Sequence, residues 1–489
     1  MESENAAVLY ESVAGDISML ISSGTLRPGE RVPSVRHLSR QKRVSIATVL
    51  QAYRLLENRG MIEARPQSGY YVRRARPATE MAVTNPPGTP RPVGVHDLVS
   101  RVLDAMNDPR VVKLGAALPG HELMPATRLR RMLAATARRF PETLTSYAVP
   151  PGREELRRQI ARHSLNWGCN FTADDVIVTN GCMEALNLCL RAVAKSGDIV
   201  ALESPTYFGL LQIIESLGMK ALEIPTHPRN GISLEALALA CEREKVKACL
   251  VMSSVSNPLG STMPDAAKKR LVQLLAGHGI PLIEDMVYGD LFFGATAPRV
   301  AKAYDKQGTV MLCSSFSKTL APGFRVGWVA PGRYQEQVSR LKFVSSVGTP
   351  ELLQLTVAEF LANGGYDRQL RSLRRAFAER IERGRSLVIE HFPEGTRATN
   401  PTGGFVLWVE LPQGADALAL YESAMQEGIS IAPGPMFSAS NRYRNCLRLN
   451  CGCTWTPAVE RALARIGELA KAQLAGTARK GKRPQAGDK

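Results

Sequence analysis

The stretch Ser314–Trp328 has the sequence SSFSKTLAPGFRVGW and places Lys318 between a hydroxyl-rich tripeptide and a Pro-Gly turn. It continues the apolar run GTVMLC, which predicts a buried strand that ends at the serines. A lysine amine that is removed from water loses its proton readily and becomes a nucleophile toward carbonyl groups. Arg325 adds a cation at the same turn. Taken alone, however, Lys318 also fits an ordinary surface lysine in a loop.

Polar residues follow several other short apolar runs in the same part of the chain. These runs alternate with helical stretches, which predicts an α/β architecture with a mostly parallel central sheet. In such sheets functional side chains lie at the carboxyl ends of the strands. The residues at predicted strand ends are Asn180 and Gly181 after DVIVT, Pro205 and Tyr207 after IVALE, Asn257 after CLVMSSVS, Asp285 after IPLIE and Lys318 after VMLCSSF.

Two of these strand ends suggest specific chemistry. NGCMEAL passes from a strand through a glycine turn into a helix, where free N–H groups and the helix dipole bind anions. Taken alone this signal is weak, because many such turns bind nothing. Asp285 ends a probable central strand, where a carboxylate is costly unless a cation or a strong donor accompanies it. A protonated heteroaromatic nitrogen is such a cation.

Together these groups match the needs of pyridoxal 5'-phosphate (PLP), namely an amine, an acid for the pyridine nitrogen, donors to the phenolic oxygen and contacts for the phosphate. The region resembles the class I aminotransferases of fold type I through seven separated signatures in one order. They are SYAVPPGREELRRQIA, NGCMEAL, ESPTY, NPLG, EDMVYGD, SSFSKTLAPGFRVGW and LRLN. The resemblance implies the PLP-dependent transferase fold, with PLP as its cofactor.

The same resemblance implies a role for each matching residue. Lys318 would hold the internal aldimine and Asp285 would pair with the pyridine nitrogen. The other implied contacts are Asn257 and Tyr288 to the phenolic oxygen, Tyr207 to the ring, Gly181, Cys182, Met183, Ser315, Ser317 and Arg325 to the phosphate, Arg448 to a substrate or effector carboxylate, and Tyr147 to the cofactor of a second subunit.

Some of these positions have a simpler explanation or depart from the family pattern. Arg448 also fits a salt bridge in the core, and Tyr147 and Tyr207 also fit packing aromatics. Met183 stands where many relatives have a polar side chain, so a phosphate or ring contact there would come from backbone alone.

The N-terminal part of the chain has a different pattern. An amphipathic helix is predicted between Val8 and Ile21, a second from Pro33, and a third capped by Ser45. MIEARPQSGYYVRR then predicts two short strands joined by a turn. Gly24, Pro28, Gly60 and Pro66 are expected to end helices or turn the chain. Three helices and a hairpin are typical of a winged helix-turn-helix, although a small helical dimerisation domain has the same periodicity.

Specific residues favour the DNA-binding interpretation. LRPGERVPSVR, the Ser-x-x-Thr-Val pattern and SGYYV resemble the DNA-binding domain of the GntR family. By this resemblance Arg36, Ser45, Thr48 and the wing around Gly69 face DNA. One position departs from the family, because Ile46 follows the capping serine where arginine is frequent, so one phosphate or base contact is missing.

Length and charge agree with several domains and an anionic partner. The chain has 489 residues, which is more than one ordinary domain needs, and a net charge of +17. No apolar run approaches the length of a membrane span, and the acidic, polar N-terminus does not resemble a secretory signal, so we expect a cytoplasmic protein. The nine cysteines lack paired zinc-ligand spacing, so we expect reduced thiols and no metal site.

These patterns divide the chain into four parts. The prediction is a DNA-binding domain at 5–75, a Pro-rich linker at 76–94, an aminotransferase-like domain at 95–475 and a basic disordered tail at 476–489. The linker is expected to be an extended tether between two folded modules. The tail could attract phosphate or merely aid solubility.

A GntR-type reader fused to an aminotransferase-like domain resembles the MocR subfamily of bacterial transcriptional regulators. The resemblance implies a homodimer that binds operator DNA and senses PLP, an amino acid or another amine through the aldimine at Lys318. The alternative is an active aminotransferase with an accessory DNA-binding domain. A DNA-binding scaffold with a dead cofactor fold is disfavoured, because Lys318 and Asp285 are both present.

Overall fold

The computed structural model describes residues 2–22, 25–27, 29–58, 61–65, 68–73, 81–105 and 108–480. The predicted turn residues Gly24, Pro28, Gly60 and Pro66 lie outside these segments. So do residues 76–80 of the predicted linker and residues 481–489 of the predicted tail.

The described chain alternates helices and strands over most of its length. The helices are α1 (Glu2–Ser22), α2 (Val35–Lys42), α3 (Ile46–Asn58), α4 (His96–Asp104), α5 (Ala126–Arg139), α6 (Glu154–Ser164), α7 (Cys182–Val193), α8 (Phe208–Ser216), α9 (Leu234–Arg243), α10 (Asp265–Gly277), α11 (Gln335–Ser346), α12 (Glu351–Ala362), α13 (Gly365–His391), α14 (Ala417–Gln426) and α15 (Pro457–Lys480). The strands are β1 (Ile62–Arg65), β2 (Gly69–Val72), β3 (Arg91–Pro92), β4 (Val112–Lys113), β5 (Ile177–Thr179), β6 (Ile199–Ser204), β7 (Lys220–His227), β8 (Gly231–Ile232), β9 (Val246–Val251), β10 (Leu282–Asp285), β11 (Val310–Ser315), β12 (Gly327–Ala330), β13 (Arg397–Ala398), β14 (Val406–Glu410), β15 (Ile429–Ser430), β16 (Ala432–Pro433) and β17 (Cys446–Asn450).

The N-terminal domain contains the three predicted helices and the hairpin. Its core forms where the apolar side of α1 meets α3, whose Val49, Tyr53 and Leu56 are fully buried. The strands β1 and β2 pair antiparallel, with Ile62 opposite Val72. The second helix begins at Val35 rather than at Pro33, because the Ser34 hydroxyl accepts the His37 N–H and caps the helix there.

The second half of the predicted linker is attached to the large domain. The Thr226 N–H donates to Thr84 Oγ1 at 2.8 Å, and the Thr84 hydroxyl donates to the Ser204 carbonyl at 2.6 Å. Further along, β3 pairs antiparallel with β7 at the edge of the large sheet. Residues 76–94 are therefore not a free tether along their whole length, because backbone groups at a sheet edge seek partners whatever the composition of the segment.

A large sheet forms the centre of the second domain. Its strand order is β3-β7-β6-β9-β10-β11-β12-β5, and β8 pairs with β7. The neighbouring strands from β7 to β11 run parallel, whereas β12 runs antiparallel to β11 and to β5. The five strands predicted from apolar runs, which are β5, β6, β9, β10 and β11, all lie in this sheet. Their carboxyl ends meet at one edge.

A second sheet follows, with the order β13-β14-β17-β16. Its strand β17 contains LRLN and places Arg448 opposite Trp408 of β14. The last helix, α15, extends to Lys480, so the first five residues of the predicted disordered tail are helical.

No helix in the described segments is long and apolar enough to cross a membrane. Nor do the described residues contain a group of three or more His, Cys, Asp or Glu that could hold a metal ion. All nine cysteines are free thiols, and most of them are buried.

Candidate functional site

The predicted DNA-contacting residues lie at exposed or half-buried positions of the N-terminal domain. Arg36 is exposed on α2, and Ser45 caps α3 because its hydroxyl accepts the Thr48 N–H at 3.1 Å. Gly69 begins β2 with φ +101°, and a Cβ there would lie 3.2 Å from the Arg31 guanidinium. Ile46, where arginine is frequent in the family, leaves 49% of its surface exposed at the start of α3.

A cavity of about 200 Å³ lies at the carboxyl edge of the large sheet. It brings together nine of the residues predicted for the cofactor: Cys182, Met183, Tyr207, Asp285, Tyr288, Ser315, Ser317, Lys318 and Arg325. Segments separated by more than a hundred residues therefore converge at this edge, as expected for a doubly wound sheet.

Lys318 follows β11 and is held in the cavity by one backbone contact. Its Nζ donates to the carbonyl of Ala117 at 2.7 Å. Burial, together with the nearby Arg448 and Arg325 cations, lowers the pKa of the Lys318 amine to about 8. The surface-lysine interpretation was wrong, because this amine faces a cavity and is partly desolvated.

The lowered pKa gives a testable pH dependence. An amine attacks an aldehyde only when it is neutral, so covalent attachment of PLP to Lys318 should accelerate as pH rises and level off above about 8, where the amine is neutral. Arg325→Gln should move this midpoint upward, because it removes one of the cations that disfavour the protonated amine. The rate is measured by borohydride trapping and intact mass. A midpoint near 10 in the unaltered protein would show an amine in a water-like environment.

Asp285 ends β10 and is 2% exposed. Its Oδ1 accepts the Val287 N–H at 2.9 Å and lies 3.4 Å from the Cys182 thiol, which donates to it. Burial raises the pKa of this carboxyl to about 6. Its Oδ2 has no hydrogen-bond donor in the part of the chain that the structure describes, so a protonated ring nitrogen in the cavity would supply the missing partner.

The turn after β5 has the geometry of an anion site. Gly181 has φ +86° and precedes the first turn of α7, and a Cβ there would lie 2.3 Å from Arg325 Nη2. Arg325 donates to Ser317 Oγ at 3.2 Å and to the Asn180 carbonyl at 3.3 Å. Both acceptors are neutral, so within the described chain this guanidinium has no carboxylate to balance its charge. A phosphate beside the helix N-terminus would provide that balance.

A buried amide and a buried guanidinium form a pair next to the cavity. Arg448 is fully buried and donates to Asn257 Oδ1 at 3.1 Å and to the Gly115 carbonyl at 2.6 Å. Neither Arg448 Nε nor Asn257 Nδ2 has a hydrogen-bond partner among the described residues, and both atoms are buried. Because leaving such donors unpaired is costly, they indicate a ligand that accepts hydrogen bonds.

The salt-bridge explanation of Arg448 is not supported. No acidic side chain among the described residues pairs with it, and its neighbours are the rings of Phe437 and Phe208 at 5.1 and 5.6 Å. Burial lowers the pKa of the guanidinium, since its charge lacks compensation. A carboxylate entering the site would therefore meet an uncompensated cation.

Two predicted aromatic residues differ in their surroundings. Tyr207 is half-buried at the cavity, and its ring centroid lies 4.7 Å from that of Phe208. Tyr147 is 89% exposed and is not among the residues that line the cavity in the described chain. Its predicted contact needs a second subunit and stays a prediction.

Sequence reasoning missed several contributors to the site. The Ala117 carbonyl accepts from Lys318, the Cys182 side chain contacts Asp285, and Leu103 of α4 lines the cavity. A signal for the first was the run of small residues from Gly115 to Ala117. A Cβ on Gly115 would lie 2.8 Å from the Ile431 carbonyl, so the backbone passes very close to its neighbours there.

The residues present fit each part of PLP. Lys318 supplies the amine, Asp285 the acid for the ring nitrogen, and the Gly181–Arg325 turn the phosphate contacts. The fold and this site define a fold-type I, PLP-dependent aminotransferase domain, here preceded by a winged helix-turn-helix.

Comparisons with known proteins support both the aminotransferase domain and the DNA-binding domain. Residues 111–466 match the family of class I and II aminotransferases, and residues 9–72 match the gntR family of bacterial regulatory proteins. The chain is 41% identical to the HTH-type transcriptional regulator YjiR of Escherichia coli, over 94% of this chain and 98% of that protein. It is 29% identical to the 2-aminoadipate transaminase of Thermus thermophilus, over 77% of this chain and 94% of that enzyme.

A solved aminotransferase structure resembles the large domain. The α-aminoadipate aminotransferase LysN of Thermus thermophilus, complexed with N-(5'-phosphopyridoxyl)-L-leucine, has a TM-score of 0.71 at 26% identity and covers 78% of this chain and 100% of its own. This chain belongs to the class I and II aminotransferase family and carries a gntR-family DNA-binding domain, the combination typical of MocR-type regulators.

Proposed function

We propose that this DNA-binding regulator senses PLP or an amino compound through Lys318. Bound PLP would supply an aldehyde carbon that can exchange one primary amine for another without an oxidant or reductant. Lys318 would be the amine that holds the cofactor and that an incoming amino compound releases. Release of Lys318 would change the contacts of the loop that follows β11. Through the large domain, that change would alter the placement of the DNA-binding domains.

The observation that carries this proposal is the uncompensated cation of Arg448. It is fully buried, and among the described residues it donates only to neutral oxygens and leaves Nε unpaired. A lysine amine in the cavity and an arginine guanidinium next to it suit a ligand with a primary amine and a carboxylate, which is the chemistry of an amino acid. The effector class we propose is therefore an amino acid.

On the DNA side, we propose that Arg36, Ser45, Thr48 and the wing at Gly69 contact operator DNA. Exposed arginine and hydroxyl groups at the start of a recognition helix bind phosphates and base edges. A homodimer would bring two such helices to adjacent half-sites and would place Tyr147 beside the cofactor of the other subunit. Such a regulator would act in the cytoplasm, where the DNA is.

A second candidate function is transamination. Lys318 and Asp285 line the cavity, Arg448 lies next to it, and relatives such as the Thermus thermophilus 2-aminoadipate transaminase are enzymes. An enzyme would use the released Lys318 amine as a base and complete the half-reaction repeatedly. A sensor would exchange amines and release little keto acid.

One experiment tests the proposal against this alternative. The full-length protein is titrated with a DNA duplex selected from a random library, without cofactor, with PLP, and with PLP plus each common amino acid. We expect PLP or one amino acid to change DNA affinity by at least about fivefold, which is in the range of ordinary allosteric coupling. The amount of keto acid released should not exceed the amount of protein. Equal affinity under all conditions would overturn the sensor function, and repeated keto-acid release would favour the enzyme.

A further inference from the structure

A buried hydrogen-bonded cluster lies behind the Lys318 loop, outside the cofactor cavity. At its centre is Asp290, in the short helical turn Gly289–Leu291 that follows Tyr288. The Asp290 carboxylate accepts from Trp167 Nε1 at 2.8 Å, from the Tyr366 hydroxyl at 3.1 Å and from His163 Nε2 at 3.2 Å. Two separate segments, α6 with the turn that follows it and α13, are thus tied to one carboxylate on the loop that carries Tyr288.

The cluster continues to the residue next to Lys318. The Tyr366 oxygen lies 2.9 Å from Thr319 Oγ1, and its ring meets Phe316 edge-on at 5.8 Å between centroids. The Tyr366 hydroxyl is the donor in both contacts, so its single proton is shared between the Asp290 carboxylate and Thr319 Oγ1. Tyr366 therefore contacts both sides of the Ser317-Lys318 dipeptide.

Charges around the cluster keep Asp290 ionised despite its burial. Burial opposes ionisation, but the contacts with His163 and Trp167 hold the pKa of Asp290 below its usual range. Burial also opposes a charge on His163, yet Asp290 and Asp367 raise its pKa, while Arg374 acts in the opposite sense. On the other side of the ring, His163 Nδ1 faces Asn166 Nδ2 at 3.2 Å.

The backbone of this turn is held as well. Arg374 Nε donates to the Asp290 carbonyl at 2.7 Å, and its guanidinium stacks on Phe292 at 3.8 Å. The turn that follows Tyr288 is therefore rigid, and Tyr366 transfers that rigidity to the β11 loop.

We propose that Asp290, acting through Tyr366 and Thr319, is a positioning residue for Lys318. A lysine side chain has four rotatable bonds, and the Lys318 amine is otherwise held only by the Ala117 carbonyl within the described residues. Anchoring Thr319 limits where the Lys318 amine can lie relative to Asp285, at the end of β10, and Tyr288, in the loop that follows β10. The inference concerns cofactor attachment and holds whether the protein is a sensor or an enzyme.

Tyr366→Phe tests the hydrogen-bonded path from Asp290 to Thr319 at its middle residue, because it removes one hydroxyl and keeps the ring. Two properties are measured on the full-length protein: the rate of covalent PLP attachment, by borohydride trapping and mass, and the affinity for pyridoxine 5'-phosphate, which lacks the aldehyde. We expect attachment to slow about tenfold, because small misplacements of a reacting group cost that much or more. Affinity for pyridoxine 5'-phosphate should stay within about twofold, since phosphate and ring contacts do not involve Tyr366.

Two further variants distinguish a role in positioning Lys318 from a general weakening of cofactor binding. Thr319→Val should slow attachment as Tyr366→Phe does, and the double variant should be no slower than either, because both break one chain of contacts. Asp305→Asn is the matched control, since Asp305 is another buried carboxylate with several donors and lies outside the cavity. It should leave both properties unchanged. Equal losses of attachment and analogue affinity, or additive effects of the two variants, would overturn the proposal.

Discussion

Lys318→Ala should abolish covalent attachment of PLP and any change in DNA affinity on addition of an amine. The cavity has one amine within reach of the cofactor aldehyde among the described residues, and it is the amine with a pKa lowered to about 8 by burial. Borohydride trapping followed by mass spectrometry should show no added cofactor in the variant. DNA affinity in the absence of cofactor should match that of the unaltered protein, because Lys318 lies in the large domain.

Lys268→Met is the control for losing a buried lysine. Lys268 is also fully buried, donates to Ser254 Oγ at 2.8 Å and to the Arg299 carbonyl at 2.6 Å, and does not line the cavity. This variant should still attach PLP and respond to amines. A Lys318→Ala protein that still responds to an amine would contradict the role of Lys318 in sensing.

Arg448→Gln should remove recognition of an effector carboxylate. Glutamine can still donate to the Gly115 carbonyl or to Asn257 Oδ1, but it carries no charge. Truncating one side of a buried, charged hydrogen-bonded pair costs about 2–5 kcal/mol, so the affinity for an amino-acid effector should fall at least about 30-fold. The measurement is the concentration of amino acid that displaces Lys318 from the cofactor, followed by the change in absorbance.

The control for this prediction is a change of ligand. Each amino acid is compared with the amine that remains after its α-carboxylate is removed, such as L-leucine with 3-methylbutylamine. The amines should displace Lys318 from the unaltered protein and from the Arg448→Gln variant at concentrations within about threefold of each other, because they have no carboxylate for Arg448 to bind. Equal weakening for amino acids and amines would show that Arg448 supports the cavity rather than binding a carboxylate.

Most of the cofactor site was predictable because its residues follow strands. Apolar runs of strand length identify β5, β6, β9, β10 and β11, and in a parallel sheet their carboxyl ends meet at one edge. Gly181 was predictable in the same way, since a strand-to-helix turn at φ +86° requires glycine. The second sheet was not predicted from the sequence, because LRLN pointed to Arg448 only by resemblance and the strands β13 and β16 have two residues each.

Other features had no local signal. The attachment of Thr84 to Thr226 joins residues 142 positions apart, and composition described this segment only as rich in proline. The helical start of the predicted tail is similar, since charge does not tell where a helix frays.

The amino-acid sequence by itself determined the two domain classes, the three helices and hairpin of the first, the parallel strands of the second, and a set of candidate residues for PLP, because these depend on local periodicity and on residue type. Only the tertiary structure decided that Arg448 lacks a charged partner among the described residues, that Lys318 donates to Ala117, and that Asp290 reaches Thr319 through Tyr366. Each of these depends on a contact between distant segments, such as the 201 residues from Ala117 to Lys318. Periodicity reports only which side of an element is buried, whereas the folded chain determines what lies against it.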